Sequence, residues 1–219
     1  MADTTGKTAT AAVHEALRAD IGRGRLRPGA PLRQDHIAAQ LGVSHVPVRE
    51  ALTLLVCEGL AASRLHRGTT VSALSEAEAL ELAEYRGLLE GQLTRLAVPN
   101  LSRADLARAE AALDALERAT ELDQIVALNA GFHAILHARA ERPFFLRAVD
   151  TARLNLGRYL RLTWEQDGNA ERSQAEHRQL LAFCAAGEAE AAAALMTAHV
   201  RATGQRVAAI IRRDGQSHE

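Results

Sequence analysis

The sequence predicts a mainly α protein in two parts: a head of three helices and a β-hairpin over residues 1–73, and an all-α bundle of six helices over residues 74–219. Three observations predict it. Apolar residues recur at helical spacing along most of the chain. Extended runs bounded by turn residues occur only between Gly59 and Leu74. From Ser75 onward strand signals vanish and Pro nearly does, while Ala, Leu, Glu and Arg dominate, as helix propensity favours.

In the head, residues 8–23 read as the first helix, with Val13, Ala16, Leu17 and Ile21 at helical spacing and the Arg25-to-Gly29 turn stopping it. A second short helix covers about residues 33–40 and carries Ile37 and Leu41 inward, with Gly42 permitting the positive φ of a tight turn. The third starts at Ser44, whose hydroxyl can cap the free N–H groups. Pro47 falls in its first turn, where a missing donor costs nothing. Val48, Leu52 and Leu55 form its buried stripe, which leaves His45, Arg49 and Thr53 together on the solvent side. LAASRL and TTVSAL then read as two strands joined by a basic tip, His66-Arg67-Gly68.

Three helices and a hairpin in this order make a winged helix-turn-helix. In that fold the third helix enters the DNA major groove with its N-terminal residues leading, and a basic wing reaches an adjacent groove or phosphates. The charge distribution agrees. Residues 1–74 hold nine Lys or Arg against six Asp or Glu, and the remainder holds 17 against 21, so the net charge of -1 conceals a basic head on an acidic body. The bland alternative is a stable helical hairpin with a solvated face.

The bundle divides into helices near 75–97, 102–119, 121–140, 143–163, 169–186 and 188–213, with Pro99, Pro143 and Gly187 at three of the breaks. Ser75 and Glu78 form a capping box at its start. The Ala-rich stretch 189–194 continues through Leu195, Val200, Val207 and Ile210 as a packed helix. Cys57 and Cys184 lie far apart in apolar helical contexts with no C-x-x-C pair, and small buried thiols are expected of both. Hydrophobic residues make up 47 % of the chain, sufficient for a real core. No apolar run of about 18 residues exists, and MADTTGKTAT has no apolar signal core, so a cytoplasmic protein without a membrane span is expected.

Polar groups on inward faces point to chemistry. Asn129 and His133 are four residues apart and project side by side, next to Phe132 and Leu136. His177 shares a face with Leu180, Leu181 and Cys184, and His199 aligns with Leu195, Val207 and Ile210. Each histidine alone suits a satisfied core residue. Three of them on three helices suit a transition metal, with three nitrogens and one oxygen leaving room for water or a ligand oxygen.

The pattern L-x-x-x-x-I-A-x-x-L-G-V-S-x-x-P-V-R-E-A-L-x-x-L-x-x-E-G-L of residues 32–60 resembles the DNA-binding domain of GntR-family bacterial transcription regulators. The resemblance implies that Arg49 contacts base or phosphate, that Ser44 and Arg33 contact the DNA backbone, and that Arg67 and Gly68 form the wing tip. His45 and Thr53 share the face with Arg49. The family commonly carries Arg-Thr where this chain has His45-Val46. An imidazole is shorter than a guanidinium and makes no bidentate guanine contact.

In the bundle, N-x-x-x-H at 129–133, E-H at 176–177 and the lone His199 resemble the FCD effector domain of the FadR-like branch. Six helices rather than seven resemble its shorter, VanR-like form. This likeness implies that Asn129, His133, His177 and His199 surround a divalent transition metal such as Zn, Ni, Fe or Mn, and that a small carboxylate effector coordinates it. The first of these is a neutral Asn, which attracts a cation less strongly than an Asp would. Arg86, in Y-R-G-L-L-E, matches an arginine facing the pocket, where its fork can hold the carboxylate. A surface pair of Arg86 with Glu90 is the equal rival. His137, one turn beyond His133, could be a fourth ligand, but the likeness does not call for it, and it reads as supporting the ligands from outside or as a surface residue. Tyr159 and Trp164 lie near the pocket, with packing and ligand contact both open.

The implied function is a ligand-responsive, non-enzymatic regulator, most often a repressor, binding a palindromic double-stranded operator as a homodimer. Two alternatives remain. A metal-dependent hydrolase or lyase could use Glu176 or Glu165 as base, but it lacks an H-E-x-x-H motif and leaves the head unexplained. In a metal sensor the ion itself would be the signal.

Overall fold

The computed structural model describes residues 4–64, 68–164 and 169–216. Contacts within the chain divide it into two compact units, Met1–Leu74 and Ser75–Glu219.

The first unit contains α1 (Thr4–Gly22), α2 (Gln34–Leu41), α3 (His45–Cys57), β1 (Ala61–Arg64) and β2 (Gly68–Val71). Val13, Leu17 and Ile21 of α1 and Val48, Ala51, Leu52 and Leu55 of α3 are buried, and α1 packs on α3 through them. Gly42 takes φ 65, the left-handed turn that ends α2. The strands pair antiparallel from Ala61 opposite Val71 to Arg64 opposite Gly68. The segment before α2 extends this sheet: Leu32 N–H donates to Thr69 O at 2.8 Å, and Val71 N–H donates to Ala30 O at 2.9 Å. The first unit is therefore a winged helix-turn-helix.

Three local expectations need correction. Leu41 is 39 % exposed, because α2 ends at that residue and only Ile37 and Ala38 of the helix turn inward. Ser44 has the extended conformation of an N-cap, yet its hydroxyl makes no capping bond and the residue stays exposed. Cys57 is exposed, since the buried stripe of α3 ends at Leu55 and residue 57 falls on the opposite side. Cys184 is buried as expected, and burial pushes its thiol up to about 11.

The second unit contains α4 (Glu76–Ala97), α5 (Arg103–Arg118), α6 (Leu122–His137), α7 (Pro143–Trp164), α8 (Asn169–Ala186) and α9 (Ala189–Gln216). One-turn 3-10 helices follow α4 and α6, at Val98–Asn100 and Ala138–Ala140. The capping box of Ser75 and Glu78 opens α4, and a second, of Ser102 and Asp105, opens α5. Phe132, Leu136, Leu180, Met196 and Val200 form the core with Leu113 and Leu116 of α5.

α4 and α9 make the most extensive helix pair, and small residues set their distance. A Cβ on Gly91 would lie closer than 3.0 Å to Thr197, and one on Gly204 equally close to the Cβ of Ala83. Thr197 Oγ1 donates across the seam to Gly87 O at 3.0 Å. This close approach buries one face of α4, comprising Ala79, Ala83, Arg86, Gly87, Glu90, Gly91 and Thr94. Two charged residues therefore stand in the interior. Among the described residues no helix is long and apolar enough to cross a membrane.

Candidate functional site

The nucleic-acid face of the head follows from the burial of α3. With Val48, Ala51, Leu52 and Leu55 inside, His45, Arg49 and Thr53 are left exposed on one side, beside Ser44 at the helix start. Arg33, immediately before α2, is exposed as well. Acidic residues of the α3 region are occupied by α1: Glu50 accepts from Thr10 Oγ1 at 2.7 Å and Glu58 from Arg18 at 2.7 Å. His45 Nδ1 lies 3.4 Å from Asp35 Oδ1 of α2, and both side chains are largely exposed. Thr53 donates its hydroxyl to its own helix, at Arg49 O. Gly68 opens β2 at φ 78, a conformation natural to glycine. Arg67 and His66 lie outside the described residues.

In the bundle, α6, α8 and α9 bring His133, His177 and His199 into one buried group. The His177 Nε2 stands 3.4 Å from that of His133 and 3.3 Å from that of His199. On the far side of each ring is an acceptor. His133 Nδ1 is 3.1 Å from Glu90 Oε2, His199 Nδ1 is 2.6 Å from Glu176 Oε2, and His177 Nδ1 is 3.5 Å from Gln174 Oε1. An ionised carboxylate only accepts, which places the proton on Nδ1 in His133 and His199. Their Nε2 lone pairs then converge on the His177 Nε2, where a cation, or a proton on that His177 nitrogen, can meet them. Tetrahedral bonds of about 2.1 Å have nitrogen–nitrogen edges of about 3.4 Å, close to the spacings seen. Burial also lowers the His133 pKa to about 4 and that of His177 well below the usual imidazole value, so both rings are in their ligating form. The donor set fits a divalent transition metal.

Asn129 lies one turn before His133 on α6 and is half-buried. The distances above tie together the three histidines.

Glu90 is more than the surface partner of Arg86 that its i to i+4 spacing suggests. Its carboxylate is fully buried. Oε1 accepts from Arg86 Nε at 2.8 Å, with Arg86 Nη2 in ion-pair contact at 2.6 Å, and Oε2 accepts from Arg153 Nη2 at 3.0 Å as well as from His133. Despite burial, these partners hold its pKa well below the usual carboxylate value. The Arg86–Glu90 pair thus has the i to i+4 spacing of a surface pair, but α9 and α6 cover it. Arg86 Nη1 is buried and unpartnered. The flanking Gly87 and Gly91 were the available signal, because glycines on one helix face often mark close contact with another helix.

His137 is also buried, not a surface residue, and its Nε2 is 4.0 Å from Glu90 Oε2. Burial lowers its pKa to about 3. Glu90, His133 and His137 lie close enough to share an ion. Two guanidinium groups on Glu90 neutralise that carboxylate and oppose a cation there. Glu176 is engaged with His199, and the hydrogen bond from that ring lowers its pKa. Tyr159 is buried on α7, while Glu165 and the side chain of Trp164 lie outside the described residues.

Comparison with known proteins covers both units. Residues 9–71 match the sequence model of bacterial regulatory proteins of the gntR family, and residues 81–202 match that of the FCD domain. Over 204 residues, 90 % of this chain and 88 % of the other, the sequence is 33 % identical to a probable D-xylose utilization operon transcriptional repressor of Paenarthrobacter nicotinovorans. A GntR-family transcriptional regulator from Pseudomonas syringae pv. tomato is 32 % identical, with a TM-score of 0.61 over 96 % of this chain and 89 % of that one. The Escherichia coli McbR/YncC structure superposes with a TM-score of 0.80 at 26 % identity, over 94 % of this chain and 98 % of that one.

Proposed function

This chain belongs to the GntR family of bacterial transcription regulators and carries an FCD domain behind its DNA-binding head, and on that premise we propose that a small carboxylate, bound beside a divalent transition metal in the bundle, controls its affinity for DNA. It acts as a repressor on this reading. The observation that carries the proposal is the convergence of the three Nε2 atoms of His133, His177 and His199 in the buried interior of the bundle.

His133, His177 and His199 would hold the metal, Zn, Ni, Fe or Mn, with Asn129 as an oxygen donor. When bound, the ion supplies a fixed positive charge that attracts a carboxylate oxygen. Arg86, held side-on by Glu90, has Nη1 left to donate to the same anion. Arg86 and Arg153 share the single carboxylate of Glu90, so the α4 side of the pocket already carries excess positive charge. An anionic ligand balances it; a neutral one does not.

At the head, Arg33, Ser44, His45, Arg49, Thr53, Arg67 and Gly68 would contact a palindromic operator in double-stranded DNA. A homodimer supplies the two heads. Leu80, Tyr85 and Leu88 are exposed along α4 and offer apolar surface for it. The family and the relatives named above are transcription regulators, which displaces the hydrolase or lyase alternative.

The test is fluorescence anisotropy of the full chain on an operator obtained by selection from random DNA, with metal-loaded protein and a carboxylate panel. Hydroxycarboxylates derived from sugars come first, since one relative is named for a D-xylose utilization operon. Weakened operator binding that a His133→Ala, His177→Ala double variant no longer shows is the expected result. An operator affinity indifferent to every carboxylate but altered by metal removal would favour the metal-sensor reading.

A further inference from the structure

We propose that Glu90 is the positioning residue that joins the two halves of this pocket: one buried carboxylate aims the His133 ring at the cation and the Arg86 guanidinium at the anion, so a single residue sets both affinities. The inference rests on the metal-and-carboxylate reading of the pocket.

The geometry is that of a hub. A carboxylate has about four lone-pair sites. Those of Glu90 accept from Arg86 Nε, Arg153 Nη2 and His133 Nδ1 at 2.8–3.1 Å, and Arg86 Nη2 makes an ion-pair contact at 2.6 Å. These donors come from α4, α7 and α6. Displacement of any one of these donors redistributes the carboxylate's charge over the others.

Each contact also has a directional consequence. The bond to His133 Nδ1 turns Nε2 toward His177. The side-on grip on Arg86 uses Nε and Nη2, which leaves Nη1 as its one unpartnered nitrogen. The grip on Arg153 through Nη2 is matched by a bond from its Nη1 to Ala130 O at 3.1 Å, which anchors that guanidinium to α6. Glu176 provides the internal contrast. It holds His199 from the solvent side, with its side chain 24 % exposed, and makes no contact with Arg86 or Arg153 in the same network.

Metal-stripped full-length protein titrated with Co(II) gives the metal affinity from the visible absorption of the bound ion. Acetate added to the Co(II)-saturated protein gives the anion affinity from changes in the same bands. Glu90→Gln is expected to weaken Co(II) binding about 10- to 100-fold, as removal of a ligand's supporting carboxylate does. It should also tighten acetate binding by about tenfold, because the Arg86 and Arg153 guanidinium groups lose the carboxylate that neutralises them. Glu176→Gln is expected to weaken Co(II) binding alone. A Glu90→Gln protein that keeps either affinity within twofold of the wild type overturns the proposal.

A second measurement needs no variant, and so does not depend on one that folds. Long-range proton–nitrogen NMR of the metal-free wild type should find the His133 proton on Nδ1; a proton on Nε2 overturns the proposal. Wild-type protein that takes up no Co(II) is a distinct outcome, for it removes the pocket reading itself and this inference with it.

Discussion

Adding one methyl group at Gly204 should unfold the bundle more easily, although the same change in an open helix should stabilise it. Gly204 lies inside α9, where alanine is favoured over glycine by about 1 kcal/mol. Its new Cβ would stand closer than 3.0 Å to the Cβ of Ala83, where carbon atoms need about 3.5–4.0 Å. Neither methyl can rotate away, so α4 and α9 must separate along their most extensive contact. Overpacking of this kind costs about 1–3 kcal/mol. With two rigid atoms involved the upper end applies, and the net loss is about 2 kcal/mol. At about 2–4 °C per kcal/mol for a chain of this size, the melting temperature should fall by about 4–8 °C. Gly131→Ala is the control, because nothing lies within 4 Å of its added Cβ on α6, and it should gain about 1 kcal/mol. Thermal melts of the metal-free full chain, followed by the helical circular dichroism signal, compare the two. Ala83→Gly combined with Gly204→Ala should recover most of the loss. If Gly204→Ala melts at or above the wild type, the packing argument is refuted.

Removal of the α3 guanidinium by Arg49→Ala should weaken operator binding, by about 1–3 kcal/mol with relaxed specificity if the contact is to a base, or uniformly with a salt slope lower by about one if it is to phosphate; anisotropy titrations at several salt concentrations decide between them, and unchanged binding removes Arg49 from the interface. Acid should destabilise the metal-free protein early: burial lowers His133 to about 4 and His137 to about 3, against about 6.5 in the unfolded chain. Below that value the unfolded state takes up protons that the folded state refuses, so stability is full above pH of about 6.5 and falls as the pH drops toward 4. Melts across pH 8 to 4 should therefore be flat and then decline, and a His137→Phe variant should decline less steeply. Zinc present at about 100 times its dissociation constant should add about 2.7 kcal/mol of stability, an increment that calorimetry should find in the wild type and not in the His133→Ala, His177→Ala variant.

What the residues by themselves determined is local. Helical periodicity and breaks at Pro99, Pro143 and Gly187 located the bundle's helices to within a few residues, because caps, turns and propensity act over a single turn of chain. The largest discrepancies have the same origin: the expected helix 121–140 ends its α-helical part at His137 and tightens into a 3-10 turn, and α9 runs on to Gln216. The exposed face of α3 was readable for the same reason, since one stripe of apolar residues leaves only one other side. Inward histidines could be named from their apolar neighbours at helical spacing, although spacing alone said nothing about which ring atoms would meet.

The tertiary structure decided the rest. Arg86 and Glu90 have the spacing of an ordinary surface pair, and only the close approach of α9 to the glycines beside them turns that pair into a buried hub. The burial of His137 and the tautomers of His133 and His199 likewise depend on residues tens of positions away. Local pattern reports which side of a helix is apolar. Whether a polar side chain is solvated or confined depends on what the other helices bring against it, and the energies of buried charge and hydrogen bonding are set by those long-range neighbours.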